Sequence, residues 1–254
     1  VTELFFAVAG PWKPTFLDWD FDGDPVNLLF SYAYDSIIAA RRSLRPKRAM
    51  LDSGAFTAWS KGKPVDLDAL IEETKNEDQW TESVCLDVVG DPDASMSNAL
   101  KMKAAGSPAF PVFHVGDPWE HLDEYKRVFG RVGLSCRFGE PSTESLAWLD
   151  RCFARAWPCQ FHSFGWTAAA CLSRYPFDSA DSSSWINPQA YGQSRGFSRP
   201  HATVPWFPGT QSPFQIKATA ARDLKFEVAA FLRTQSYLRH RWRKELARCR
   251  SPNT

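Results

Sequence analysis

The chain lacks the marks of several large functional classes, and each absence removes one of them. Its six cysteines (Cys85, Cys136, Cys152, Cys159, Cys171 and Cys249) form no CxxC pair and no Cys/His cluster with zinc spacing. That pattern argues against a thiol redox motif or a structural zinc, and it reads as reduced cysteines in a cytoplasmic protein. No HExxH occurs and no HxH falls on an early strand, so a zinc hydrolase is not indicated. The first apolar run leads into AGPWKP rather than GxGxxG, which argues against a dinucleotide fold. No stretch approaches the length of a membrane span. The apolar start LFFAVAG is too short for a signal peptide and meets Pro11 and charges at once. There is no internal repeat. Bulk charge is nearly absent too, at a net +1, so it identifies no partner.

What is present is size, apolar content and an alternating pattern. At 254 residues with 44% hydrophobic residues, the chain suits one α/β barrel as a single domain over residues 1–254. Short β-rich runs fall at Leu4–Ala9, Asn27–Tyr32, Ala49–Asp52, Val84–Val88, Phe110–His114, Arg131–Ser135, Gln160–Phe164 and Phe177–Asp181. Helical patterns lie between them near 34–43, 65–76, 94–105, 119–128, 143–155 and 166–173. Strands that alternate with helices imply right-handed crossovers and a parallel sheet. Eight such runs predict a closed (β/α)8 barrel. Beyond residue 186 the pattern breaks, and 187–215 is rich in Pro, Gly, Ser and aromatics without a clear period. A basic C-terminal helix is predicted over 218–247, with Leu224, Val228, Phe231, Leu232 and Leu238 on its buried stripe. From Lys217 to Arg250, ten Lys or Arg face three acids, a local +7 against −6 for the rest. Contact with a polyanion and a merely solvated helix both fit that asymmetry.

The polar residues at the strand ends carry the functional information. AMLD ends at Asp52, CLDVV carries Asp87, FPVFH ends at His114, CQFHSFG carries His162 and FDSAD ends at Asp181. Each alone reads as a turn, cap or scaffold residue. In a barrel, however, the C-terminal ends of all the strands surround one pocket, so five such groups converge. Two separated carboxylates can serve glycosyl transfer, one attacking an anomeric carbon while the other moves protons, or they can bind a divalent metal. HSFGW and DSSSW stand where barrels often grip phosphate, although without a glycine-rich loop.

Two blocks of sequence resemble a known family. LDSGAFTAW is similar to the DSGGF segment of tRNA-guanine transglycosylases, and closer to their phage relatives that act on DNA, the DpdA-like enzymes. FHSFGWTAAACLSRYPFDSADSSSW is similar to those relatives' later block, and the likeness runs from about Ala49 to Ile186. The resemblance implies exchange of guanine in DNA for a free 7-deazaguanine base of the preQ0 type, through a covalent aspartyl intermediate. Asp181 then matches the nucleophile, with Asp178 as the alternative three residues earlier, and Asp52 matches the general acid/base. Asp87 falls where the family bonds the guanine edge, His114 where tRNA enzymes carry a base-reading glutamine, and Gly133 near a base-reading glycine. Ser53, Phe56 and His162 complete the expected base-binding set, and Phe56, Trp59 and Phe164 are candidates to sandwich the base.

Two departures accompany the likeness. Ala55 replaces the family's second glycine, and the zinc-binding Cys/Cys/Cys/His segment is absent, so the reading includes no metal and no cofactor beyond the base co-substrate. DNA phosphates are expected at Arg239, Arg241, Arg243 and Lys244 and at the cluster Arg41, Arg42, Arg45, Lys47 and Arg48. A phage origin would place the protein in the host cytoplasm, and a homodimer or an accessory protein remains open. The alternatives are a two-carboxylate glycoside hydrolase, a tRNA-directed transglycosylase and a non-catalytic nucleic-acid-binding barrel.

Overall fold

Alternate residues of a strand face opposite sides, and in this chain both sides are apolar, as strands buried on two faces require. A computed structural model describes residues 2–8, 26–41, 44–136, 142–167, 169–183, 193–195, 206–208 and 228–243. Eight parallel strands form one sheet: β1 (Glu3–Val8), β2 (Asn27–Ser31), β3 (Ala49–Asp52), β4 (Glu82–Ser83), β5 (Val112–His114), β6 (Arg131–Ser135), β7 (Gln160–Phe164) and β8 (Ser179–Ser182). Their order is β4-β3-β2-β1-β8-β7-β6-β5. A parallel bridge between Val84 and Phe110 joins the two edge strands. Cys85 N donates to Phe110 O at 2.9 Å and Phe110 N to Ser83 O at 3.0 Å, which closes the barrel. The predicted (β/α)8 architecture is therefore the observed one.

The alternation sorts the core into two parts. Phe5, Ala7, Leu29, Met50, Val84, Phe110 and Val112 point inward and fill the barrel. Leu4, Phe6, Val8, Leu28, Phe30 and Leu51 point outward, into the layer covered by the helices. Those helices are α1 (Asp35–Arg41), α2 (Ala55–Ser60), α3 (Leu67–Thr74), α4 (Pro92–Ala104), α5 (Trp119–Phe129), α6 (Thr143–Ala156) and α7 (Ala169–Arg174). Local chemistry sets their starts. Asp66 accepts from Asp68 N and Ala69 N, Asp91 from Ala94 N and Ser142 from Ser145 N. The short α2 was not expected from sequence, because six residues with only Ala55 and Ala58 buried give no readable period.

The floor of the barrel is charged. Arg48 pairs with Glu3 Oε2 at 2.7 Å and with Glu82, and Arg131 pairs with Glu82 Oε2 at 2.6 Å. These four side chains stand at the N-terminal ends of strands, opposite the expected site.

The C-terminal helix α8 (228–243) runs antiparallel to β1. Phe231 packs edge-on to Phe6, Gln235 Oε1 accepts from Leu4 N at 2.6 Å, and Arg239 reaches Glu3 Oε1 at 3.5 Å. Val228, Phe231 and Leu238 are buried as expected, joined by Trp242, whose indole N–H donates to Leu172 O at 2.9 Å. Leu224 lies outside the described residues. Within 187–215 two three-residue strands, β9 (Gln193–Arg195) and β10 (Trp206–Pro208), pair antiparallel. They correct the reading of that segment as wholly irregular, and three residues are too few to show a period. Among the described residues no helix is long and apolar enough to cross a membrane.

Candidate active site

At the C-terminal ends of the strands a cavity of about 460 Å³ opens, lined by Asp52, Asp87, His114 and Asp181 among others. A second chamber of about 380 Å³ adjoins it across Asp87, His114 and Phe56, which line both. Four of the five polar strand-end residues therefore share one pocket. Each comes from a different strand or strand-end loop, as the barrel geometry requires.

Asp52 ends β3, and the turn after it is built around Gly54. The Gly54 backbone has φ 74°, and a Cβ there would stand 2.6 Å from Ala33 N. Gly54 N donates to Asp52 Oδ2 at 3.1 Å, so the same turn aims the carboxylate. Gly54→Ala is expected to cost about 1–3 kcal/mol of stability through the unfavourable φ and the clash. Chemical denaturation checks this, and an unchanged midpoint would show the turn to be dispensable. Burial raises the Asp52 carboxyl from its ordinary 3.8 to about 7. The negative charges of Asp87 and Asp181 push it the same way, while Gly54 N–H and Ser31 pull it back.

Asp181, on β8, is buried. Gly165 N donates to its Oδ1 at 3.2 Å, and His162 Nε2 lies 3.3 Å from the same oxygen. Its other oxygen, Oδ2, has no protein donor among the described residues. Asp178, the alternative nucleophile, stands at the opposite end of β8, where its carboxylate accepts from Phe161 N at 3.0 Å. It does not line the pocket.

Asp87 and His114 form a pair, His114 Nε2 to Asp87 Oδ2 at 3.1 Å. Burial acts to lower the His114 imidazole, but the hydrogen bond and charge of Asp87, with Asp117 beside it, outweigh that and leave it raised. Asp117 Oδ2 also accepts from His114 N at 2.8 Å, which fixes the strand end.

Three residues expected to touch a base stand behind the wall instead. Ser53 is 1% exposed, and its hydroxyl lies 3.5 Å from Asp87 Oδ1. His162 is 0% exposed, one layer below the pocket, amid the rings of Phe5, Phe110 and Phe164. Gly133 gives its N–H to Pro111 O at 2.8 Å, so that donor is not free to read a base. A Cβ there would stand 2.3 Å from Phe164 Cε2, so its bareness makes room for that ring. Phe56 does reach the pocket and is 54% exposed, with its neighbour Trp59 at 61% and 5.9 Å between ring centroids. Phe164 also lines the cavity. Ser31, Tyr34, Ser135 and Ser182 line it too and were not foreseen, because serine at a strand end has no distinctive spacing.

Several of the expected phosphate contacts are engaged elsewhere in the fold. Arg48 is spent in the charged floor, and Arg239 joins it through Glu3. Arg41 donates to Gln79 O at 3.0 and 2.7 Å and stacks over Phe30 and Trp80. These groups sit at the end of the barrel away from the pocket or under the α1–β3 connection. Arg241, over the Trp242 ring, and Arg243 are exposed but lie still further along α8. Arg42 and Lys244 lie outside the described residues. Lys61 is a cation at the pocket end, its Nζ 4.3 Å over the ring of Tyr34. Among the described residues no group of three His, Cys, Asp or Glu is placed to hold a metal ion. The five described cysteines are free, and burial pushes the thiols of Cys136 and Cys171 up to about 12.

Fold and site together define a TIM-type barrel with a multi-carboxylate pocket at the end where barrel enzymes carry out their chemistry. Among solved structures the chain is similar to the tryptophan synthase alpha chain of Legionella pneumophila subsp. pneumophila, with TM-score 0.54, 11% identity, and 91% of each chain covered. It is also similar to a chain of the tryptophan synthase a2b2 complex of Pyrococcus furiosus, with TM-score 0.52, 11% identity, 90% of this chain and 98% of that one. At such identity the likeness carries the fold alone. No family model and no curated protein matches the chain.

Proposed function

We propose that the protein is a base-exchanging transglycosylase that replaces guanine in DNA with a 7-deazaguanine. The observation that carries the reading is the unequal environment of two carboxylates in one pocket. Asp52 is held near 7, where a carboxyl both gives and takes a proton at neutral pH. Asp181 has one oxygen tied down by N–H groups and the other open, as a nucleophile needs. The motif blocks around these two residues point to the same division of labour.

In the reaction, Asp181 Oδ2 forms a bond to C1′ as the bond from C1′ to guanine breaks, and Asp52 gives its proton to the departing base. The incoming 7-deazaguanine then loses a proton to Asp52 and attacks C1′, which releases Asp181. The target nucleotide must leave the base stack to reach a pocket this deep, at a cost of a few kcal/mol in a duplex. Asp87 accepts from the purine N–H edge, Phe56 and Phe164 flank the ring, and Lys61 supplies positive charge at the rim. An accessory protein that holds the DNA is consistent with the position of α8.

A second reading, hydrolysis of a small glycoside by the same carboxylates, is favoured by one observation. Arg41, Arg48 and Arg239 are committed away from the pocket, so much of the expected phosphate grip is missing from it. One experiment separates the two. Guanine-containing DNA is incubated with the protein and labelled 7-deazaguanine, and the nucleosides are analysed by mass spectrometry. Labelled deazanucleoside in the DNA is the expected result. Loss of guanine with no label gained would mean hydrolysis of the DNA glycosidic bond itself, and unchanged DNA excludes transglycosylation on that substrate and favours the small-glycoside reading.

A further inference from the structure

The buried side chains beneath Asp181 form a directional relay. Arg131 Nη2 donates to Ser179 Oγ at 2.8 Å and to Glu82 Oε2 at 2.6 Å, so both of its hydrogens are used. Ser179 Oγ lies 2.7 Å from His162 Nδ1, and His162 Nε2 lies 3.3 Å from Asp181 Oδ1. Ser179 is 1% exposed and His162 0%, so the central link between them is sealed from water. The starting point has no choice of direction, because a guanidinium only donates.

We propose that Arg131 and Ser179 lock His162 in the Nε2–H tautomer, and that His162 is thereby a positioning residue that holds the Asp181 carboxylate with Oδ2 turned to the substrate. A hydroxyl that accepts from Arg131 keeps its own hydrogen to give, and Nδ1 is the acceptor beside it. The imidazole hydrogen then sits on Nε2 and points at Oδ1. Gly165 N–H converges on that same oxygen at 3.2 Å, so both donors hold one side of the carboxylate and leave the other open. Arg131 is itself fixed by Glu82 and by its place 4.7 Å over the Phe110 ring, which ties the relay to the charged floor. His162 thus acts through Asp181 and does not touch a base.

The inference rests on Asp181 as the reacting group, yet its central claim can be read without any activity. Nitrogen NMR of histidine-labelled protein reports which ring nitrogen of His162 bears the hydrogen. The expected result is Nε2 protonated and Nδ1 bare in the wild type, with the Nδ1 resonance moved in Ser179→Ala, where the bare nitrogen loses its hydroxyl donor. A wild-type signal from Nδ1–H overturns the relay whatever reaction the protein performs. Where base exchange is measurable, Ser179→Ala and His162→Leu should lower kcat on the order of 10²-fold with KM little changed, as a misaimed reacting group does. His162→Gln keeps an N–H toward Asp181 and should recover part of that loss. Equal losses in His162→Leu and His162→Gln would assign His162 to packing alone. Absent exchange with the expected tautomer intact would instead count against the transglycosylase reading.

Discussion

Replacement of Asp181 by alanine should abolish both release of guanine and covalent capture of DNA, a loss on the order of 10⁴–10⁶-fold in rate. The size follows from the role: with no carboxylate at C1′ there is no covalent intermediate. Folding should survive. The substitution leaves His162 Nε2 and Gly165 N without their acceptor, at a cost of about 1–3 kcal/mol for a buried unpaired donor. Circular dichroism checks the fold, and mass analysis of denatured protein–DNA mixtures checks the adduct. Full activity in this variant would remove Asp181 from the mechanism. The variant should also show Asp52 titrating below about 7, because the Asp181 charge is one of the forces that hold it there.

Asp52→Asn should have two opposite effects. Activity should fall by about 10²–10⁴-fold, the usual contribution of a positioned proton carrier. Stability above neutral pH should rise. The native Asp52 carboxyl binds its proton up to about 7, whereas in the unfolded chain it loses it near 3.8. Between those values the unfolded state holds fewer protons than the native state, so stability falls as pH climbs through this window. At still higher pH the protein carries the full cost of a buried charge, up to about 4 kcal/mol for a rise from 3.8 to about 7. Water that reaches the half-buried carboxyl reduces that figure. Asparagine carries no charge to bury, so at about pH 8 the variant should melt higher than wild type, by roughly 2–4 °C per kcal/mol. At about pH 3, below both values, the carboxyl is protonated in the native and the unfolded chain alike, and the advantage should vanish. A stability difference independent of pH would mean that Asp52 is not raised.

The charged floor gives α8 a different meaning from its composition. Its basic half suits a phosphate surface by composition, yet Arg239 completes an ion-pair cluster with Glu3, and Gln235 and Trp242 fasten the helix to β1 and α7. A helix antiparallel to a barrel strand that starts near the pocket end must finish at the floor. Its C-terminal charges therefore arrive far from the substrate.

The amino-acid sequence by itself determined the barrel and the pair of aspartates. Alternating β-rich and helical runs have few ways to bury both faces of a parallel sheet, and a closed barrel brings every strand end to one rim. Asp52 and Asp181 were legible because their strands end where apolar residues give way to turn residues. Depth and direction were not legible. His162 and Phe164 lie two apart on the same inward face of β7, yet one is sealed below the pocket and the other lines it. Which layer a residue occupies depends on the stagger of neighbouring strands, such as Gly133 opposite His162, and those partners lie far apart in the chain. The raised carboxyl of Asp52 depends likewise on Asp87 and Asp181, which only the closed barrel brings near it. Burial and charge are sums over neighbours in space, so the tertiary structure alone decided which aspartate holds its proton and which is held open.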